Sequence, residues 1–121
     1  MATPTLCDCH ILIVEDEYLL ADDLARFLEQ EGAIVVGPAS CIDSALSLIA
    51  SEQRIDIALL DVNLGGSAAF SVADVLIERG VPFAFTTGYD GRALPSRFGA
   101  VPRLEKPFRV ALVASFLKPL L

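Results

Sequence analysis

Acidic residues cluster directly after a short apolar run near the start of the chain. The stretch ILIVEDE, residues 11–17, places Glu15, Asp16 and Glu17 immediately behind four apolar residues. Two unit negative charges about 4 Å apart repel by about 4 kcal/mol at an effective dielectric constant near 20. Carboxylates therefore gather only where a proton or a cation offsets their charge, and Mg²⁺ is a hard cation that prefers oxygen ligands. The stretch predicts half of a magnesium site.

Three later stretches end in side chains that could complete such a site. The stretch IALLD ends in Asp61, FAFTT ends in Thr86 and Thr87, and RLEK ends in Lys106. A carboxylate that faces Mg²⁺, a hydroxyl and an ammonium group is suited to accept a phosphoryl group as an acyl phosphate. The metal and the ammonium would offset charge on the transferring oxygens, and a hydroxyl would hydrogen-bond one of them.

Short apolar runs alternate with amphipathic stretches, and these elements must position the candidate residues. The apolar runs are residues 10–14, 33–37, 55–60, 81–85 and 101–104. The stretches with helical spacing of apolar residues are 17–31, 67–79, 107–118 and one that follows Ser40. Repeated strand-then-helix order predicts an α/β fold with a five-stranded parallel sheet and helices on both faces. Ligands bind at the carboxyl edge of such a sheet, where the acids, the threonines and the lysine would meet.

One segment interrupts this regular alternation. The stretch GYDGRALPSRFGA, residues 88–100, is broken by glycines and a proline. These residues disfavour a long helix. We therefore expect the fourth helix of the fold to be short or mobile.

Composition limits the class of protein. A chain of 121 residues that is 54% hydrophobic is long enough for one domain with a sizeable core. No apolar run approaches the roughly 20 residues that cross a bilayer, and the first residues do not resemble an export signal, so we expect a cytoplasmic protein without a membrane partner. The net charge of −7 argues against nucleic acid as a partner. The three cysteines predict neither a disulfide framework nor a zinc site.

The motifs, taken in order, resemble those of the response-regulator receiver domains of two-component signalling. LIVEDE resembles the acidic pair of that family, LLDVNLGG its phosphoacceptor loop, TTGYD its Thr/Ser switch position, and EKPF its lysine with a cis-prone proline. The resemblance covers nearly the whole chain. It implies a flavodoxin-like receiver fold with strand order 2-1-3-4-5. It also implies a single receiver domain over residues 1–121, in which residues 1–8 form a flexible N-terminal extension.

The resemblance assigns the acidic residues to two roles. Asp61 would be the phosphoacceptor. Mg²⁺ would be held by the side chains of Glu15, Asp16 and Asp61 and by the backbone carbonyl of Asn63. Glu17, in contrast, is expected to be a solvated acid in the first turn of a helix, favoured by the helix dipole, and not a ligand.

The resemblance also assigns the residues that would contact the phosphoryl group. Thr87 is the expected hydroxyl because the family's hydroxyl directly precedes a small residue, here Gly88. Thr87 and Lys106 would contact the phosphoryl oxygens. Asn63 and Tyr89, each two positions beyond a site residue, would control the access of water and so tune the lifetime of the phosphoryl group.

The implied function is that of a Mg²⁺-dependent aspartyl phosphoacceptor, charged by a sensor histidine kinase or a histidine phosphotransferase. The chain would act as a single-domain regulator or as the receiver part of a longer protein, and would slowly dephosphorylate itself. One alternative is a pseudo-receiver that binds a protein partner without phosphorylation. A phosphohydrolase with an Asp-x-Asp nucleophile motif is disfavoured because the sequence reads Asp61-Val62-Asn63, which lacks the second acid.

The sequence departs from the usual receiver pattern at several positions. Arg103 stands where most receivers carry the aromatic switch residue, and Gly65 stands where many carry a proline. The stretch PFAFTTGYD resembles the FATGUY-type subgroup of receivers, although Thr86 occupies the alanine position of that motif. Without the aromatic switch, reordering of residues 88–100 is the hypothesis for activation.

The last predicted helix is apolar on nearly all sides. The stretch RVALVASFL, residues 109–117, has few polar side chains, and a helix of this kind needs cover on more than one face. Val110, Val113 and Leu117 are expected to face the sheet. Leu112 and Phe116 would point away, towards a dimer partner or a client protein, unless they are scattered apolar residues on the surface.

Overall fold

A five-stranded parallel sheet forms the centre of the structure, a computed structural model that describes residues 6–88 and 94–121. The strands are β1 (His10–Val14), β2 (Ile34–Ala39), β3 (Ile57–Asp61), β4 (Phe83–Thr87) and β5 (Arg103–Glu105). Their spatial order is 2-1-3-4-5, and every neighbouring pair is parallel. The predicted sheet and strand order are therefore confirmed.

Four α-helices lie against the sheet in the described part of the chain: α1 (Tyr18–Gln30), α2 (Ile42–Ser51), α3 (Phe70–Glu78) and α4 (Val113–Leu117). Helices α1 and α4 share a core cluster with one face of the sheet, and α2 and α3 share a second cluster with the other face. Because both faces are covered, β3 is an apolar run that is buried along its whole length. In the described residues no helix has the length and apolar character needed to cross a membrane.

Alternation along the strands sends neighbouring residues to opposite clusters. Leu12 and Leu60 belong to the cluster under α2 and α3, whereas Ile13 and Leu59 belong to the cluster under α1 and α4. This period of two follows from the pleat of a strand. It also fixes the direction of the polar residues that follow the same strands, since they continue the same alternation.

A small antiparallel hairpin, which the sequence reasoning did not predict, follows β3. Residues Asn63–Leu64 pair with Ser67–Ala68, and Gly65 and Gly66 form the connecting turn. These glycines have φ values of 58° and 90°, in the left-handed region that glycine adopts most easily. The Gly-Gly pair therefore permits the tight turn that folds this loop back beside the carboxyl edge of the sheet.

The segment between β4 and β5 contains only a single 3₁₀ turn, Ser96–Phe98, in its described part. Phe98 is fully buried, with ring centroids 5.5 Å from Phe70 and 5.6 Å from Phe85. The guanidinium of Arg97 donates two hydrogen bonds of 3.1 Å to Asp74. The expectation of a short helix between β4 and β5 is confirmed for residues 94–100. Residues 89–93 lie outside the described residues.

The start of the chain is attached to the domain from Leu6 onward. The Leu6 side chain is buried in the cluster under α1 and α4, and its N–H donates to the Glu31 carbonyl at 3.0 Å. The Asp8 N–H donates to the Gly32 carbonyl at 2.9 Å. The extension predicted for residues 1–8 therefore does not include residues 6–8, and residues 1–5 lie outside the described residues.

The last helix is shorter than its apolar sequence suggested. Helix α4 is flanked by the 3₁₀ turns Val110–Leu112 and Lys118–Leu120. Val113 and Leu117 are fully buried against the sheet, as predicted. The prediction for Phe116 was wrong, because its ring is half-buried against the same cluster. Leu112 is exposed.

Phe98 should anchor the β4–β5 connection. Replacing Phe98 with Ala removes a fully buried ring between two others, so the free energy of unfolding should fall by about 3–5 kcal/mol. Asp74→Ala is the matched control, because it removes the half-exposed ion pair between Asp74 and Arg97 but no contact of the Phe98 ring, and it should cost about 1 kcal/mol or less. Urea unfolding of the two variants measures both values. Equal losses for the two variants would contradict the anchoring role.

Candidate metal and phosphoryl site

The carboxyl ends of β1, β3 and β5 bring an acid, an acid and a lysine to one edge of the sheet. Glu15 directly follows β1, Asp61 is the last residue of β3, and Lys106 directly follows β5. Glu15 and Asp61 are each only 3% exposed. Two carboxylates this deeply buried need compensating charge close by, and Lys106 supplies part of it.

The Lys106 ammonium is the centre of the site. Its Nζ donates hydrogen bonds of 3.0 Å to Asp61 Oδ2 and 3.1 Å to Glu15 Oε2. Glu15 Oε1 also lies 2.9 Å from Nζ, as an ion pair without hydrogen-bond geometry. One ammonium thus joins the ends of the first and third strands.

Glu17 is a third acid that contacts Lys106, and the sequence did not predict this contact. Its Oε1 accepts a hydrogen bond from Nζ at 3.3 Å, although its side chain remains 62% exposed. Glu17 is also the N-cap residue of α1, and its N–H donates to Glu15 Oε2 at 3.1 Å. It is therefore a solvent-exposed acid that nevertheless contacts the site. The position of Glu17, two residues after Glu15 and at the start of a predicted helix, was the sequence feature that could have indicated this contact.

The hairpin glycines and Asn63 hold the remaining carboxylates. Asp16, which is exposed, accepts a hydrogen bond at 2.8 Å from the Gly65 N–H. Asp61 Oδ1 accepts one at 3.0 Å from the Asn63 N–H. The Asn63 side-chain oxygen in turn accepts the Gly66 N–H at 3.0 Å. The loop after β3 therefore orients the acids of two strands through backbone donors.

Glu15, Asp16 and Asp61 form the carboxylate cluster that the sequence predicted. Each offers one carboxylate oxygen, and these oxygens all lie within 4.8 Å of one another. An all-oxygen cluster of this kind suits a hard divalent cation. The Asn63 carbonyl stays a predicted ligand.

The pKa values of the site indicate an excess of negative charge. Burial is the largest cause that raises the pKa of Glu15, from 4.5 to about 7, and the charge of Asp61 adds to it against the hydrogen bonds from Glu17 and Lys106. Burial alone would lower the pKa of Lys106, but its hydrogen bonds to Glu15 and Asp61 raise it above 10.5. The two carboxylates thus favour the charged form of Lys106, whereas burial and the charge of Asp61 oppose the charged form of Glu15. The donor set therefore fits a second cation.

The two threonines at the end of β4 have different environments. Thr87 is half-buried, and its carbonyl accepts the Lys106 N–H at 2.8 Å, so it helps to position the lysine through the backbone. The predicted contact of its hydroxyl with a phosphoryl group stays a prediction. Thr86 is almost completely buried, at 1% exposure.

Two further sequence predictions concern residues near this edge. The Lys106–Pro107 peptide bond is cis, which agrees with the cis-prone proline of the motif. Arg103, at the position of the usual aromatic switch, is exposed on β5. Tyr89, the predicted control of water access, lies outside the described residues.

A parallel sheet of order 2-1-3-4-5 whose carboxyl edge carries an acidic cluster and a lysine defines a phosphate-accepting signalling domain. The chain belongs to the response regulator receiver domain family, whose model matches residues 11–117. Such a domain is a signalling phosphoacceptor and not a conventional enzyme, and histidine kinases are the partners of the family.

Individual relatives agree with this assignment. The sensory transduction protein LytT of Bacillus cereus is 33% identical over 112 residues, which cover 89% of this chain and 45% of LytT. The chain therefore spans about half the length of that relative. The solution structure of SdrG from Sphingomonas melonis Fr1 is 38% identical, with a TM-score of 0.77 and complete coverage of both chains. The BeF3-activated conformation of SdrG from Pseudomonas melonis Fr1 is 37% identical, with a TM-score of 0.74 and complete coverage of both chains.

The Glu15 carboxyl should titrate near neutral pH in metal-free protein. Its pKa of about 7 lies above the ordinary 4.5, so its neutral form contributes stability that is fully present below pH 4.5 and is lost as the pH rises through about 7. Carbon-13 NMR of the side-chain carboxyl groups measures this pKa. Saturating Mg²⁺ should lower it, because a nearby cation favours the carboxylate.

Glu15→Gln is the control for this assignment, since the variant should lack the signal that titrates near pH 7. A Glu15 pKa close to 4.5 in metal-free protein would contradict the excess of negative charge.

Proposed function

We propose that Asp61 is the phosphoacceptor of this receiver domain, and that a sensor histidine kinase or a histidine phosphotransferase supplies the phosphoryl group. The observation that carries the proposal is the buried Asp61 carboxylate, held between the Asn63 N–H and the Lys106 ammonium beside Glu15 and Asp16. BeF3 is a chemical stand-in for a phosphoryl group, so the existence of a BeF3-activated conformation of the similar SdrG supports the same chemistry here.

The transfer step follows from the position of Asp61. An oxygen of the Asp61 carboxylate attacks the phosphorus of the partner's phosphohistidine, and the P–N bond breaks. The electron pair of that bond returns to the partner's imidazole, and Asp61 becomes an acyl phosphate. The Asn63 N–H fixes the orientation of the carboxylate during the attack.

Charge compensation is the task of the surrounding residues. Glu15, Asp16, Asp61 and the Asn63 carbonyl would hold Mg²⁺, which when bound offsets the charge of the phosphoryl oxygens. Lys106 approaches the same oxygens from β5. Its present hydrogen bond to Asp61 Oδ2 supports this role, because the phosphoryl group would be attached to the carboxylate that it already touches.

Thr87 and Asn63 have assigned roles in the phosphorylated state. The Thr87 hydroxyl would hydrogen-bond a phosphoryl oxygen, which is supported by its position at the carboxyl end of β4, beside the lysine. Asn63 and Tyr89 would limit the access of water and thereby set the rate of self-catalysed dephosphorylation.

The chain is further proposed to belong to the FATGUY-type subgroup. Phe85, Thr87 and Gly88 match the motif, and the exposed Arg103 is a poor substitute for a buried aromatic switch. Activation would then proceed by reordering of residues 88–100, for which the buried Phe98 offers a fixed end.

The remaining parts of the proposal concern the setting of the domain. Residues 1–121 would form one receiver domain that works as a single-domain regulator or as the receiver part of a longer protein. The exposed Leu112, in the 3₁₀ turn before α4, would contact a protein partner, either a second copy or a client. Cys7, Cys9 and Cys41 are all free, which is compatible with a cytoplasmic, reducing location.

Incubation with acetyl phosphate and Mg²⁺ tests the proposal through the intact mass of the protein. The wild type should gain the mass of one phosphoryl group, and Asp61→Asn should gain none because it lacks the nucleophile. Asp43→Asn, which removes an exposed acid in the first turn of α2, is the matched control and should be phosphorylated like the wild type.

Phosphorylation of Asp61→Asn to the wild-type level would move the acceptor elsewhere. A folded wild type that gains no mass would instead favour a pseudo-receiver that binds its partner without phosphorylation.

A further inference from the structure

The described residues contain three buried polar or charged side chains, and all three belong to the same edge of the sheet. They are Glu15, Asp61 and Thr86. The first two belong to the acidic site, whereas neither the sequence motifs nor the proposed function gives the Thr86 side chain a task. Its burial beside two acids therefore requires an explanation.

Thr86 is the cross-strand neighbour of the phosphoacceptor. Asp61 on β3 pairs in register with Thr86 on β4, and the Val62 N–H donates to the Thr86 carbonyl at 3.0 Å. Neighbouring strands lie roughly 4.8 Å apart. The two side chains therefore originate side by side at the carboxyl edge.

The two side chains also point to the same face. Leu59 and Ala84, two residues before them on the same strands, both belong to the cluster under α1 and α4. Because side chains alternate along a strand, Asp61 and Thr86 continue on that face.

The Thr86 hydroxyl has no hydrogen-bond partner in the described part of the chain. A buried hydroxyl without a partner is unfavourable, and a valine of the same shape would avoid the loss. A buried hydroxyl of this kind in a native protein calls for an explanation, and a role in catalysis is one of the recognised ones. The residue paired with Thr86 in the sheet register is Asp61, whose carboxylate is an acceptor and whose Oδ2 is engaged by Lys106.

We propose that Thr86 is a positioning residue for phosphoryl turnover, whose hydroxyl donates to the Asp61 carboxyl group once Lys106 has turned to the phosphoryl oxygens. The inference rests on the proposed function, in which Asp61 carries the phosphoryl group. Thr86 then takes over the hydrogen bond that the lysine leaves, so the carboxyl group of Asp61 keeps two donors, the Asn63 N–H and the Thr86 hydroxyl.

This hydrogen bond has its largest effect on dephosphorylation. Water attacks phosphorus, the bond between phosphorus and the Asp61 oxygen breaks, and its electron pair passes to the carboxylate while inorganic phosphate departs with the oxygen of the water. Negative charge thus develops on Asp61 during the step. A donor aimed at that charge stabilises the transition state more than the acyl phosphate.

The lifetime of the phosphoryl group tests the inference. Wild type, Thr86→Val and Thr86→Ser are charged with acetyl phosphate and Mg²⁺, freed of the donor, and followed by intact mass. Thr86→Val keeps the shape of the side chain without the hydroxyl and should lose phosphate roughly three- to tenfold more slowly. The effect is limited because the variant loses only the difference in hydrogen-bond strength between the transition state and the acyl phosphate. Thr86→Ser keeps the hydroxyl and should stay near the wild-type rate.

Thermal unfolding of the unphosphorylated proteins separates positioning from packing. Thr86→Val should melt at the wild-type temperature or above it, because no hydrogen bond is lost in that state. A wild-type lifetime in Thr86→Val would overturn the inference and leave the phosphoacceptor role intact. Equal slowing in Thr86→Val and Thr86→Ser would also overturn it, since packing would then be the cause. A wild type that cannot be phosphorylated would remove the proposed function itself.

Discussion

The structure depends on an imbalance of charge at the carboxyl edge of its sheet. Glu15, Asp16 and Asp61 gather their oxygens within 4.8 Å of one another, and Lys106 is the cation that the structure sets among them. Burial makes this imbalance costly, which the raised pKa of Glu15 reflects. A bound divalent cation would offset the excess negative charge of such a site. Without that cation, the added charge of a phosphoryl group would be unfavourable. The donor set of the site therefore favours a hard divalent cation.

The surrounding elements hold this imbalance in place. The parallel register of β1, β3 and β4 sets Asp61 between its neighbours. The glycine turn at Gly65 returns the loop so that its N–H reaches Asp16. On the other face, Phe98 fixes the end of the β4–β5 connection in the core. Register and backbone hydrogen bonds therefore orient the carboxylates, as a preorganised electrostatic site requires.

Much of the fold and the site could be predicted because the signals are local. The alternation of apolar runs and amphipathic stretches predicts a parallel sheet, and Asp61 and Lys106 each follow a predicted strand. The strand order came from the resemblance to receiver domains. The contacts of Glu17 and Leu6 could not be read in this way, since they depend on how a loop from β5 and the start of the chain pack onto α1. The half-burial of Phe116 likewise depends on where α4 begins and on its flanking 3₁₀ turns. The spacing of apolar residues predicts which face of a helix is apolar, but it does not predict how a short helix is rotated about its axis against the sheet.

Calorimetric titration with Mg²⁺ tests most directly whether the carboxylate cluster of Glu15, Asp16 and Asp61 binds a divalent cation. Wild type should bind Mg²⁺, and Asp16→Asn should bind it roughly tenfold or more weakly, because it removes one carboxylate of the cluster. Asp23→Asn, an exposed acid on α1 outside the cluster, should bind like the wild type. Equal affinity in wild type and Asp16→Asn, or no binding by the folded wild type, would contradict the account.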